Sequence, residues 1–141
     1  MYCYYVNKYL IAFTVLTIRL FISFTDVFPL KDVVLTIEPK VVQRFNHSKL
    51  RCSYDLEGQD LYTVKWYRGR FEFYRYTPSE DPSTKVFPVG GITVDVNNSN
   101  STQVVLRDIE FNLSGNFSCE VTTDKTFFTR DDTQPMLVVR K

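Results

Sequence analysis

The chain has 141 residues, 44% apolar, 16% aromatic and 23% charged, with a net charge of +1. That size holds one domain of ordinary dimensions. The composition excludes a disordered tail, a collagen-like repeat and a polytopic membrane protein, and the balanced charge leaves no electrostatic footprint for nucleic acid. A single histidine, His47, and three cysteines confine any histidine-dependent triad to one imidazole and fall short of the usual zinc cluster. No catalytic residue, metal or cofactor is expected, and the chain is read as a non-enzyme.

Residues 1–8 carry one positive charge, and residues 9–24 are apolar except for Arg19. Sixteen residues fall short of the roughly 20 needed to span a bilayer. A basic start, a short apolar run and small residues after it have the layout of a secretory signal peptide, here residues 1–25, with Ser23 and Thr25 before the cut. Its removal takes away Lys8, Arg19 and Cys3 and no acid, so the mature segment, 26–141, has a net charge of −1 and two cysteines, Cys52 and Cys119. An even pair in a secreted domain reads as a disulfide. Closing a loop of 67 residues is worth about 4 kcal/mol in the chain-entropy treatment. Five N-x-S/T sequons, at Asn46, Asn97, Asn100, Asn112 and Asn116, fit the same compartment as glycosylation sites. Asn46 and one of Asn97 and Asn100 are favoured; Asn116 is least favoured because it begins a strand.

The mature chain then reads as short strands with turn punctuation. Residues 31–37 are β-branched and stop at Glu38-Pro39, and Val41-Val42 continues extended. Alternation over 49–54 turns Leu50 and Cys52 inward. Over 61–67 it turns Tyr62, Val64 and Trp66 inward and Thr63, Lys65 and Tyr67 outward. Arg68-Gly69-Arg70 turns the chain into 71–76, where strict alternation places Phe71 and Phe73 inward and Glu72, Tyr74 and Tyr76 outward. Residues 85–87 form a short edge strand, 92–96 and 103–106 two more strands, and 108–113 a helical corner. Residues 115–122 turn Phe117, Cys119 and Val121 inward and Glu120 and Thr122 outward. Residues 123–135 read as a long polar loop before a last strand over 136–140.

Eight or nine short strands without helical periodicity predict an all-β sandwich. Trp66 follows Cys52 by 14 residues, and Cys52, Trp66 and Cys119 lie on three inward strand positions. That is the pattern of an immunoglobulin-like, variable-type sandwich, with the indole packed on one inter-sheet disulfide. Two positions depart from it. Phe117 stands where the tyrosine corner places Tyr, and Leu113 stands where variable-type domains often place Asp.

Six stretches carry a narrower likeness: 52–58 (CSYDLEG), 64–70 (VKWYRGR), 72–78 (EFYRYTP), 85–91 (KVFPVGG), 105–108 (VLRD) and 113–121 (LSGNFSCEV). In them the chain closely resembles the first immunoglobulin domain of the Beaten path family of arthropod neuronal proteins, from about Asp32 to Val139. The resemblance implies an extracellular recognition ligand, secreted or at the cell surface. It further implies a role in axon guidance and synaptic partner matching, and binding to a Sidestep-type cell-surface receptor. Family members usually continue into a second immunoglobulin-like domain. The outward set Lys65, Tyr67, Glu72, Tyr74, Tyr76 and Glu120 is the expected partner-binding face, since exposed tyrosines near charges suit a protein interface. The alternative is a soluble immune-type or ligand-scavenging receptor on the same fold, binding through loops such as 123–135. His47 and the scattered acids Glu57, Asp60, Glu80, Asp81, Asp131 and Asp132 read as solvated surface.

Overall fold

Alternating apolar side chains give each strand one face to bury, and two sheets satisfy one another by closing those faces together. The computed structural model describes residues 29–140, so the leader read at 1–25 lies outside the described residues. The strands are β1 (Lys31–Glu38), β2 (Val41–Gln43), β3 (Ser48–Asp55), β4 (Leu61–Arg68), β5 (Phe71–Tyr76), β6 (Thr84–Val86), β7 (Thr93–Val94), β8 (Gln103–Arg107), β9 (Gly115–Thr123) and β10 (Thr129–Val139). One sheet runs β1-β3-β8-β7 and the other β2-β10-β9-β4-β5-β6. All pairings are antiparallel except β2 with β10. This is the variable-type immunoglobulin-like sandwich expected from the sequence.

The core follows the inward positions. Cys52 on β3 and Cys119 on β9 are disulfide-bonded with Cα atoms 6.2 Å apart. Trp66, directly opposite Cys119 in the β4–β9 register, is fully buried. Leu50, Val104, Leu106, Ile109 and Leu113 fill the space between the sheets. Phe117 packs edge-on to Phe73 with ring centroids 6.0 Å apart. With no tyrosine hydroxyl at this corner, Ser114 ties it: its Oγ accepts the Val138 N–H at 2.9 Å, and its carbonyl accepts Arg68 Nη2 at 2.6 Å. Gly115, at φ +141°, makes that approach possible, because a Cβ there would lie 2.7 Å from Arg68 Nη2.

Two irregularities overturn the strict alternation. Along β4–β5, Trp66 faces Tyr74 while the next residue, Tyr67, faces Glu72, so Phe73 is an extra residue in β5. A bulge of one residue moves every following side chain to the other face. Tyr74 and Tyr76, expected outward, therefore point inward: Tyr74 is fully buried, and Tyr76 is half-buried against the core. Phe71, expected inward, is 56% exposed at the turn. Along β4–β9, Leu61 pairs with Thr123 and Thr63 with Thr122, leaving Tyr62 as the extra residue. Tyr62 is exposed and stands edge-on to Phe127 at 5.2 Å. Thr63 and Thr122, expected outward, are nearly closed off from solvent. Thr63 Oγ1 bonds Thr77 Oγ1 and the Tyr76 carbonyl, and Thr122 Oγ1 bonds Thr129 Oγ1.

Two element boundaries also differ. The strand expected over 92–96 shortens to Thr93–Val94 and gives way to a 3-10 turn, Val96–Asn98. Asn98 Nδ2 and Ser99 Oγ donate to Asp95, and such local bonds compete with the sheet ladder. The loop expected over 123–135 is short, because β10 begins at Thr129 and pairs with β9 from there to Met136. Its first half is polar because it is an edge: β2 joins only from Leu137 onward. An edge position also tolerates Pro135, which has no N–H to give. The helical corner is present as the 3-10 turn Phe111–Leu113.

Candidate functional site

The outer face of the six-stranded sheet is built by register. Across five strands one row reads Asp131, Glu120, Lys65, Arg75 and Lys85, each opposite the next. Its acidic end lies on β10 and β9 and its basic end on β4, β5 and β6. The adjacent row reads Thr133, Ser118, Tyr67 and Glu72. Of the six residues expected at a partner-binding face, Lys65, Tyr67, Glu72 and Glu120 lie together here. Tyr74 and Tyr76 do not, because of the Phe73 bulge. Arg75, Lys85 and Asp131 complete the row. The strand alternation carried the outward position of Arg75 only on the far side of that bulge.

Short-range pairing holds these side chains in place. Arg75 grips Glu72 with two bonds, Nε to Oε1 at 2.6 Å and Nη2 to Oε2 at 2.9 Å, and its guanidinium lies 5.3 Å from the Phe87 ring centroid. Lys85 pairs with Glu80 at 2.5 Å. Tyr67 donates its hydroxyl to Glu120 Oε1 at 3.5 Å. Burial first, and then the charges of Glu120 and Glu72, push the Tyr67 phenol up from 10.0 to about 12, with Arg75 opposing. The phenol is a neutral donor throughout the physiological range.

This has a measurable consequence. The folded-state pKa lies above the unfolded one, so the contribution of Tyr67 to stability is complete below pH 10. It is lost as pH rises from about 10 toward 12, where only the unfolded chain has released the proton. Absorbance titration at alkaline pH is expected to show one phenol ionising near 12 in the wild type and absent in Tyr67→Phe. The variant is expected to lose less stability across that window in denaturant melts. A Tyr67→Phe titration identical to wild type contradicts the placement of Tyr67.

Other candidates are dispersed. His47 is exposed and makes no hydrogen bond or ion pair among the described residues. It borders a cleft with Asp95 and Arg107, and the hydroxyl of nearby Ser99 is engaged by the Asp95 carbonyl and the Val105 N–H. Glu57 pairs with Lys31 at 3.0 Å. Among the described residues no group of three or more His, Cys, Asp or Glu could hold a metal, and no helix is long and apolar enough to cross a membrane. All five sequon asparagines are exposed, in different settings. Asn46 lies between β2 and β3, Asn97 in the 3-10 turn Val96–Asn98, and Asn100 between that turn and β8. Asn112 leans its amide against Gly91, where a Cβ would come within 2.5 Å, and Asn116 pairs with Pro135 inside the β9–β10 ladder.

Solved structures share this architecture at low sequence identity. Murine CEACAM1b aligns with a TM-score of 0.60 and 18% identity over 77% of this chain and 54% of that one. A mouse coronavirus receptor-binding domain complexed with its murine receptor aligns at 0.57 and 17%, over 77% of this chain and 54% of that one. Murine CRIg aligns at 0.56 and 18%, over 78% of this chain and all of that one. The present chain thus spans about half of the first two and the whole length of the third. No protein-family model matches the sequence, and no curated protein matches it. At these identities the likeness establishes the immunoglobulin-like fold.

Proposed function

We propose that the chain is an extracellular cell-recognition domain of the Beaten path type, acting in axon guidance and synaptic partner matching. In this reading the outer face of the six-stranded sheet docks on an immunoglobulin domain of a Sidestep-type cell-surface receptor. The observation that carries it is the row Asp131–Glu120–Lys65–Arg75–Lys85 with Tyr67 beside its centre. Charge divided across a flat face selects a partner with the opposite division and rejects others by like-charge contact. A held tyrosine adds buried area at low entropy cost. The resemblance in six sequence stretches supports the same partner class, and a similar structure is that of a receptor in complex.

The expected outcome is that Tyr67→Ala weakens binding to the cognate receptor ectodomain by about 2 kcal/mol, roughly thirtyfold in Kd. Lys65→Glu is expected to act mainly on the association rate and its salt dependence. Alanine at Asp81, away from the face, leaves affinity within about twofold, as expected for a residue outside the contact. Surface-plasmon titration of folded variants measures all three. Wild-type affinity in Tyr67→Ala and Lys65→Glu rejects the sheet-face model.

Glycans belong to the same reading. Asn46 and one of Asn97 and Asn100 are expected to carry them, clear of the docking face, whereas Asn116 and Asn112 are expected to be bare. Glycopeptide mapping of secreted protein checks this, and a glycan at Asn116, which shares the outer face of β9 with Glu120, speaks against docking there.

A second reading draws on the loop between β9 and β10. Phe127 is 58% exposed and Phe128 39%, with Tyr62 against Phe127, an aromatic tip suited to an immune-type or scavenging receptor that binds through loops. Loss of binding in Phe127→Ala with retention in Tyr67→Ala selects this reading.

A further inference from the structure

The turn between β4 and β5 borders a second feature, a cleft of about 650 Å³ lined among others by Arg68, Arg70, Phe71, Val89, Asn112 and Leu113. No acid lines it. Arg68 and Arg70 form no ion pair among the described residues, whereas Arg75 on the neighbouring strand is paired with Glu72. Its apolar lining comes from the exposed Phe71, the half-buried Val89 and the buried Leu113, the residue that stands where variable-type domains often place an aspartate.

Arg68 is held in place. Its Nη2 donates to the Ser114 carbonyl at 2.6 Å and the Asn112 carbonyl at 3.3 Å, its guanidinium sits 5.6 Å from the Phe117 ring centroid, and its buried Nε has no partner. Neutral carbonyls and a ring orient the cation without cancelling its charge. Arg70 lies 5.5 Å from the Phe71 ring centroid and is solvent-exposed. Two glycines beside the cleft also fit a built site: Gly115 leaves room for Arg68, and Gly91 leaves room for the Asn112 amide. A second cleft, lined by Tyr67, Gly69, Arg70, Ser118, Glu120 and Asp131, joins Arg70 to the outer sheet face. Asp131 and Glu120 border that cleft without pairing with Arg70.

We infer that the Arg68–Arg70–Phe71–Val89 cleft is a binding site for an acidic side chain flanked by an apolar one, presented on a loop of the protein partner. A carboxylate between two guanidiniums gains charge-assisted hydrogen bonds that water and neutral groups supply only weakly, and an apolar neighbour covers the apolar lining. The partner is the one proposed to dock on the adjoining sheet face, so the natural ligand rests on that reading while the chemistry of the cleft does not.

The test uses the secreted, isotope-labelled full chain and two blocked dipeptides, acetyl-Asp-Leu-amide and acetyl-Asn-Leu-amide, which differ only in charge. The Asp peptide is expected to shift the Gly69, Gly90 and Gly91 amide signals saturably and to bind at least fivefold more tightly than the Asn peptide. Arg70→Gln is expected to remove that difference and to leave the rest of the amide spectrum unchanged; Phe71→Ala is expected to weaken both peptides. Absence of saturable shifts, equal binding of the two peptides, or no effect of Arg70→Gln overturns the site. With the cognate receptor, Arg70→Gln is expected to weaken binding at least fivefold. Unchanged receptor affinity overturns the partner as source of the carboxylate. Failure of the sheet-face model shows separately, as wild-type receptor affinity in Tyr67→Ala.

Discussion

Tyr74→Ala is expected to destabilise the domain by about 3–5 kcal/mol, in the range for removing a large buried aromatic side chain. The ring is fully buried, stands edge-on to Trp66 with centroids 5.3 Å apart, and directs its hydroxyl to the Asn100 carbonyl at 3.4 Å. Truncation leaves a void beside the indole and the disulfide, in a region where the surrounding strands are tied by ladders on both sides. Tyr74→Phe keeps the ring and gives up only the bonding of the hydroxyl, to the Asn100 carbonyl and to Thr84, so its cost is expected near 1 kcal/mol. Urea unfolding of both variants separates the two terms. Tyr67→Ala, on the outer face one step away, is expected to change stability by much less while it weakens binding. A Tyr74→Ala protein with wild-type stability and impaired binding contradicts the bulge at Phe73 and restores Tyr74 to the docking face.

Replacing both Cys52 and Cys119 by alanine is expected to cost about 2–5 kcal/mol, the usual span for a native disulfide in a small secreted domain. The bond closes a loop of 67 residues that contains β4, β5, β6, β7 and β8. Without it the unfolded chain gains freedom and the folded core gains a cavity under Trp66, so both states move against folding. A loss of that size approaches the whole net stability of many domains. Thermal melts of oxidised, reduced and double-alanine protein measure it, and non-reducing peptide mapping establishes the bond. Free thiols at both positions in secreted, folded protein contradict it. The double variant is expected to bind the receptor with reduced affinity only in proportion to its unfolded fraction, since neither cysteine reaches the outer face.

The residue types of this chain were enough to place most of its strands and the pin of its core. Leu50, Cys52, Val64, Trp66, Phe117, Cys119 and Val121 are apolar at alternate positions, and a pleated strand half-covered by a second sheet leaves that imprint directly in the sequence. Phe117 in place of a corner tyrosine, and Leu113 in place of an acid, were equally legible as single letters. The side chains of the outer sheet face were only partly so. Lys65, Tyr67, Glu72 and Glu120 kept the expected side, but Tyr74 and Tyr76 changed face because Phe73 bulges out of the β4–β5 ladder. A bulge is a property of two paired strands, not of the six residues 71–76 alone. The same holds for Tyr62 and Thr63.

The first half of β10 was hidden for a different reason. An edge strand with no sheet neighbour on one side has no need of apolar alternation, so its polar residues read as a loop. The charge row depends on more still, since Asp131, Glu120, Lys65, Arg75 and Lys85 are scattered from 65 to 131 and become neighbours only through four strand registers. The cleft beside it joins the β4–β5 turn to residues 88–90 and 112–113. Local alternation is written into the chain because it acts between adjacent residues; the charge row and the cleft are decided by which strands lie side by side, and that is settled only when the two sheets close over Trp66.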